Sequence, residues 1–201
     1  MLYRPSSFAC DDRETLLAFI RANPFATVIN PGKDNPWVAH LPLIYENGQL
    51  FGHMARANPL VHAFGSADVQ VIFHGPHAYV SPTWYAKAPA VPTWNYAVVH
   101  ALGPARLLND DETTQVVDRM AELFEPDGTW RFSGLPENYR TDMLRGIVGL
   151  SIAVLRIEGK FKLSQNRDET DRRLVAERLS QGSPTDRDVA RLMLSPQPAE
   201  P

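Results

Sequence analysis

The chain has 201 residues, with 20 Lys and Arg against 23 Asp and Glu, a formal net charge of −3. At 44% hydrophobic and 21% charged it has the make-up of one ordinary domain with a sizeable core. The charge balance supplies no global positive field for nucleic acid, and no run reaches the roughly 20 apolar residues that a membrane span needs. The N-terminus shows no basic segment followed by an apolar one, so no signal peptide is expected. Cys10 is the only cysteine, which excludes an intrachain disulfide and fits a reducing, cytoplasmic setting with a structural thiol.

In chain order, Asp11 to Ala22 reads as a helix capped by Asp11 or Asp12, with Leu16, Leu17, Phe19 and Ile20 on its apolar face. Phe25 to Asn30 reads as a buried strand. Trp37 to Tyr45 and Gln49 to His53 are two more, joined by the hairpin signal Asn47-Gly48. Asn58 to Phe64 is expected as a short helix. Val69 to Phe73 and Ala78 to Ser81 read as strands around a turn, His74-Gly75-Pro76-His77. Asn95 to Leu108 reads as a strand pair or one bent strand, with Gly103-Pro104 as a bulge. Asp110 to Phe124 and Glu137 to Arg145 are helical, and Val148 to Glu158 is a strand. Asp168 to Gln181 and Pro184 to Leu194 form a final helical hairpin, the second helix capped by Ser183. Residues 195–201 are expected to be a disordered tail, leaving one domain over residues 1–194.

Six or more short strands with few intervening helices predict an α+β fold, mainly β: a barrel with peripheral helices. Two Pro-Thr-Trp units, at residues 82–84 and 92–94, each have a Tyr close behind. Proline fixes the backbone and the aromatic rings supply flat walls, a composition suited to a planar ligand. The stretch Gly52-His53-Met54-Ala55-Arg56-Ala57-Asn58-Pro59 gathers donors where a strand ends, which suits a phosphate; the plainer reading is a solvated turn that caps the next helix. The segment from Lys160 to Arg167 either closes over an anionic or amide-bearing ligand or simply connects strand to helix. No dinucleotide fingerprint, P-loop or zincin pair occurs, and the six histidines show no metal spacing, so no metal site is expected. Gly149-Leu150-Ser151-Ile152-Ala153 reads as strand and not as a nucleophile elbow. In the last two helices acidic and basic residues alternate, which argues for a solvated hairpin over a DNA reader.

Taken together, Tyr3-Arg4-Pro5, His40-Leu41-Pro42-Leu43, residues 52–59, residues 75–82, Trp84-Tyr85, residues 91–96 and Lys162-Leu163-Ser164-Gln165-Asn166 resemble the PaiB-type family of FMN-binding negative transcriptional regulators. The resemblance implies a split β-barrel of the pyridoxamine-phosphate-oxidase type, in which two subunits pair with FMN in the groove between them. By motif, Arg56 and Asn58 would hold the FMN phosphate, with His53 and Met54 on the same strand end. His40 would run beside the isoalloxazine ring. Ser81, Trp84, Thr93, Trp94, Asn95 and Gln165 would complete the cofactor site. No catalytic residue is assigned. Two other readings stay open: an FMN-dependent oxidoreductase using NAD(P)H, and a haem-binding or haem-handling protein on the same fold with one histidine as ligand.

Overall fold

The computed structural model describes residues 2–32, 34–65 and 67–195. These fold into two compact units, one from residues 2–19, 74–100 and 157–195, the other from 20–73 and 101–156. The α+β class expected from the sequence is the one observed, with antiparallel pairing and helices against the sheets. Of the expected tail, 196–201 lie outside the described residues.

The second unit contains two sheets. β2 (Phe25–Asn30) lies between β3 (Trp37–Pro42) and the first part of β6 (Val69–Val80), antiparallel to both. The other sheet has the order β4 (Ile44–Glu46), β5 (Gln49–Ala55), β9 (Ile147–Ala153), β8 (Ala105–Leu107). The expected single strand from Trp37 to Tyr45 is therefore two. Leu43 breaks it, its N–H donating to the carbonyl of Pro24 at 2.9 Å, and the chain crosses from one sheet to the other. Asn47 and Gly48 form the expected hairpin turn, with φ of 48° and 84°, the left-handed pair that a tight two-residue turn requires.

Helix α2 (Asp110–Phe124) packs on β5 and β9. Its start is fixed by a reciprocal cap. Asn109 accepts from the Glu112 N–H at 2.8 Å and Glu112 accepts from the Asn109 N–H at 2.9 Å. Arg106 adds a two-pronged bond to Glu112. That fork, with the Asn109 N–H, holds the Glu112 carboxyl down to about 2. Val116 and Met120 pack with Ile44, Leu108 and Phe51. β9 is buried on both faces from Val148 to Ile152, so its large residues Val148, Leu150 and Ile152 alternate with the small Gly149 and Ser151 in place of exposed polar ones. α3 (Glu137–Arg145) also lies against β9.

The first unit has the strand order β1 (Ala9–Cys10), β10 (Arg156–Lys162), β7 (Thr93–Gly103), β6. β7 alternates buried and part-exposed residues from Asn95 to Gly103. The turn expected at residues 74–77 is absent and β6 runs through. Its buried positions shift from 69, 71 and 73 to 78 and 80 across Gly75-Pro76, so the irregularity is absorbed inside the strand. A Cβ on Gly75 would lie 2.4 Å from the Phe19 ring of α1 (Arg13–Ala22), which explains why a glycine stands there. Phe19 in turn packs on Phe161 at 5.3 Å. Cys10 is buried, and desolvation pushes its thiol up from 9.0, in keeping with a structural role. Helices α4 (Glu169–Ser180) and α5 (Pro184–Leu194) pack together as the expected hairpin.

Of the two readings for Asn95 to Leu108 the strand pair is the one observed, as β7 and β8 separated at Pro104, while the single strand expected from Val148 to Glu158 is divided into β9 and β10. Gly103 makes the first of these breaks possible. A Cβ there would stand 1.7 Å from the carbonyl oxygen of Ala153, a backbone atom that cannot swing away. Gly103→Ala is therefore expected to cost about 3 kcal/mol in chemical denaturation. Gly134→Ala, which meets nothing within 4 Å, should stay within about 0.5 kcal/mol of the parent.

Candidate functional site

The sequence-predicted residues fall into two groups. His40, His53, Met54, Arg56 and Asn58 belong to the second unit; Ser81, Trp84, Thr93, Trp94, Asn95 and Gln165 belong to the first.

The first group is organised by the end of β5. β5 pairs with β9 in a register that sets His53 opposite Gly149 and Ala55 opposite Ile147. Side chains alternate across the sheet, so His53 and Met54 share a strand end but face opposite sides. Met54 is buried in the core. His53 stands on the α2 side, where paired Gly149 packs against Thr113 and Leu108. The imidazole Nδ1 of His53 is buried and has no hydrogen-bond partner among the described residues. Burial holds this ring below its ordinary 6.5, in the neutral form.

Immediately past β5 the N–H of Arg56 donates to the Gly146 carbonyl at 2.9 Å, which anchors the turn. The guanidinium uses Nε on the Arg145 carbonyl at 3.2 Å and Nη2 on Asp110 at 3.1 Å. Nη1 has no partner among the described residues. The side chains of Arg56 and Asp110 are 47% and 87% exposed, so the pair is a weak surface contact. Asn58 is the cap expected of the plainer reading: its Oδ1 accepts from the Leu60 N–H at 3.0 Å, opening a 3-10 turn at Pro59–Ala63. Its Nδ2 has no partner among the described residues. The exposed His40 lies on β3, its Nδ1 3.0 Å from the Thr27 hydroxyl.

In the second group, Ser81 caps the 3-10 turn Pro82–Trp84, and its hydroxyl lies 2.9 Å from that of Thr83. Trp84 is half-buried and Trp94 is 52% exposed. Tyr79 and His77 stand beside Trp94, with ring centroids at 6.0 and 6.1 Å, an aromatic cluster that the Pro-Thr-Trp pattern alone did not disclose. Lys162 donates to the Trp94 carbonyl at 2.7 Å and to the Thr93 hydroxyl. Desolvation first, and Lys160 second, lower its ammonium from 10.5. Asn95 and Gln165 turn inward. Asn95 is fully buried, donating from Nδ2 to the Ser164 hydroxyl at 2.9 Å and to the Met193 sulfur at 3.4 Å. The Gln165 amide accepts from the Leu163 N–H at 2.7 Å and donates to the Phe161 carbonyl. Both hold the turn after β10, where Ser164 adopts φ 63°.

Among the described residues no group of three His, Cys, Asp or Glu could hold a metal ion, and no helix is long and apolar enough to cross a membrane. What the groups offer instead is a cationic fork with spare donors at one strand end, and flat aromatic surface backed by an ammonium on two neighbouring strands. Residues 2–156 match the family described as "Putative FMN-binding domain". The chain belongs to that family. Over 200 residues it is 37% identical to "Protease synthase and sporulation protein PAI 2" of Bacillus subtilis (strain 168), with 96% of each chain covered. The PaiB-type resemblance carried by the motifs is thereby borne out. The fold is shared with the flavocytochrome Anf3 from Azotobacter vinelandii, at 20% identity, a TM-score of 0.68 and coverage of 85% of this chain and 77% of that one. It is shared also with a FAD and haem binding protein from Mycobacterium smegmatis, at 18% identity, a TM-score of 0.64 and coverage of 82% and 78%.

The buried imidazole gives a pH signature. Unfolded His53 titrates at 6.5 and the folded ring below that. Its contribution is complete above pH 6.5 and is lost as pH falls through the interval between the two values. In His53→Gln the fall of Tm with acid below pH 6.5 should be shallower than in the parent. An identical slope would show that the ring is not desolvated.

Proposed function

We propose that this protein is a homodimeric FMN-binding split-barrel protein with a regulatory role in the cytoplasm, the C-terminal hairpin belonging to the same functional domain. The observation that carries the flavin reading is the end of β5. There Arg56 Nη1 and Asn58 Nδ2 are without partners, and His53 Nδ1 is a buried orphan, among the described residues. A buried polar atom without a partner costs free energy, and a ligand group that bonds it removes that cost.

In this reading Arg56 exchanges its exposed contact with Asp110 for the phosphomonoester, a dianion that a guanidinium fork matches in charge and shape. Asn58 donates from Nδ2 to the same group while its Oδ1 keeps the cap. His53, held neutral, offers one ring nitrogen to the bound molecule. In the first unit, Trp84 and Trp94 offer flat surface of the kind that shields a ring system from water, and Ser81 keeps the Trp84 turn in place. His40, in the second unit, keeps the ring-side role that the family resemblance implies. Bound FMN supplies one- and two-electron redox chemistry, which hydrogen bonds from the protein tune.

Pairing of two copies is supported by the outer face of β2 and β3. Phe25 opposite Pro42, Thr27 opposite His40 and Ile29 opposite Val38 share that face, with Phe25 62% and Val38 52% exposed. So much apolar surface on one sheet face marks an interaction site. The regulatory role rests on the resemblance of the motifs to PaiB-type regulators and, given the net charge of −3, is read as acting through a flavin-sensitive partner in place of direct DNA contact.

Titration of the apoprotein with FMN, followed by flavin fluorescence, tests the phosphate assignment. Arg56→Ala should weaken binding at least about ten-fold, the value of one charge-assisted contact. Arg178→Ala, on the exposed side of α4, should leave it unchanged. Equal affinities in the two variants would remove Arg56 from the site. Separately, Val38→Asp should convert the dimer to monomers in sedimentation and abolish stoichiometric FMN uptake. A monomeric parent that binds FMN one to one would overturn the dimer reading.

A further inference from the structure

The match to the FMN-binding family ends at residue 156, and the α4–α5 hairpin lies wholly beyond it. Yet the hairpin grips the very segments that carry the Pro-Thr-Trp motifs. Asp171, on the first turn of α4, is 2% exposed, and its Oδ1 accepts from the Ala86 N–H at 2.8 Å. Lys87, next in sequence, pairs with Asp168, the cap of α4, at 2.5 Å. The Arg167 guanidinium lies 4.5 Å from the centre of the Tyr85 ring. Three consecutive residues after Trp84 are thus fastened to one short stretch, 167–171. The second motif is held from the other helix: Asn95, directly after Trp94, bonds Met193 of α5 and the Ser164 hydroxyl.

We propose that the α4–α5 hairpin is a clamp that sets the two aromatic walls of the flavin site, and that Asp171 is its principal positioning residue. The loop from 81 to 92 carries three prolines and little hydrogen-bonded structure of its own beyond the turn at Pro82–Trp84. Its geometry after Trp84 is therefore decided by outside partners. A buried carboxylate on a backbone N–H is the strongest of these, because Asp171 is almost wholly out of water and its carboxylate is costly to leave unpaired there. The Lys87–Asp168 pair is exposed and adds little alone, but it fixes the loop on the same side as Asp171. A wall held in its binding position before the ligand arrives spares the ordering cost on association, so the clamp acts on affinity without touching the ligand.

The inference rests on the flavin reading, and two readouts keep them apart. The first is FMN affinity. The second is the rate of tryptic cleavage after Lys87, which reports whether the loop is fastened and needs no ligand. Asp171→Ala should speed cleavage after Lys87 and weaken FMN binding about ten-fold through lost preorganisation. Asp171→Asn, which keeps an oxygen for the Ala86 N–H, should restore both toward the parent. Should Asp171→Ala fail to fold, the surface pair Asp168→Asn with Arg167→Ala replaces it, which keeps Lys87 as the cleavage site and an amide oxygen as the helix cap, with faster cleavage and about three-fold weaker binding expected. Unchanged cleavage at Lys87, or faster cleavage with undiminished FMN affinity, would overturn the clamp. If the parent protein takes up no FMN, the flavin reading falls, and with it the clamp's role in that site, whatever the cleavage pattern.

Discussion

The register of β5 against β9 is the constraint on which the donor cluster at the end of β5 depends. Seven consecutive pairs run from Gln49 opposite Ala153 to Ala55 opposite Ile147, and the chain leaves the sheet at Arg56, whose N–H is taken by Gly146. A slip of one residue would turn His53 into the core and Met54 toward α2, because strand side chains alternate strictly. Glycines guard the register on both strands. A Cβ on Gly52 would lie 2.8 Å from the Pro42 carbonyl, and one on Gly149 would lie 2.8 Å from the Thr113 hydroxyl. Thr113 also accepts the Gly149 N–H at 3.0 Å, so the helix and the strand are held at one fixed distance.

The start of α2 joins this framework to the charge arrangement. Asn109 and Glu112 close the helix end, and Arg106 ties Glu112 to β8. That leaves Asp110, at the first helical position and facing solvent, as the carboxylate that meets Arg56. An acidic residue at a helix N-terminus is favoured by the dipole whether or not an arginine is near. The same residue keeps a guanidinium extended and solvated without burying it, a holding contact that a more highly charged anion can displace.

On the aromatic side the polar groups are spent on holding backbone. Lys162, Asn95 and Gln165 each bond main chain or a neighbouring side chain, and Asp171 does the same from α4. What is left to face outward is ring surface: Trp94, Tyr79 and His77. The division of labour is physical. Amide and carboxylate groups are costly to bury unpaired, so they sit where their bonds are complete, while indole and phenol rings tolerate a half-exposed position.

Local chemistry made several elements legible to the residue. β2, α2, α3 and α5 have the expected bounds because caps and prolines mark them: Asn109 before α2, Pro136 before α3, Ser183-Pro184 at α5, Pro24 and Pro31 around β2. The resemblance to a flavin-binding family was likewise legible, since motif residues are read one by one. Local pattern was enough for the bounds of α2, α3 and α5, the hairpin at Asn47-Gly48, a structural role for Cys10 and the family. Long-range packing divides the strands at Leu43 and Val154-Leu155, selects the strand pair over one bent strand at Pro104, runs β6 unbroken through Gly75-Pro76, leans Arg56 on Asp110, and turns Asn95, Gln165 and Asp171 inward. Capping and turn formation are settled within four or five residues. Which sheet a strand joins, and which charge meets which, depends on partners 50 to 90 positions away, such as Arg56 with Asp110 and Ala86 with Asp171, that no local pattern encodes.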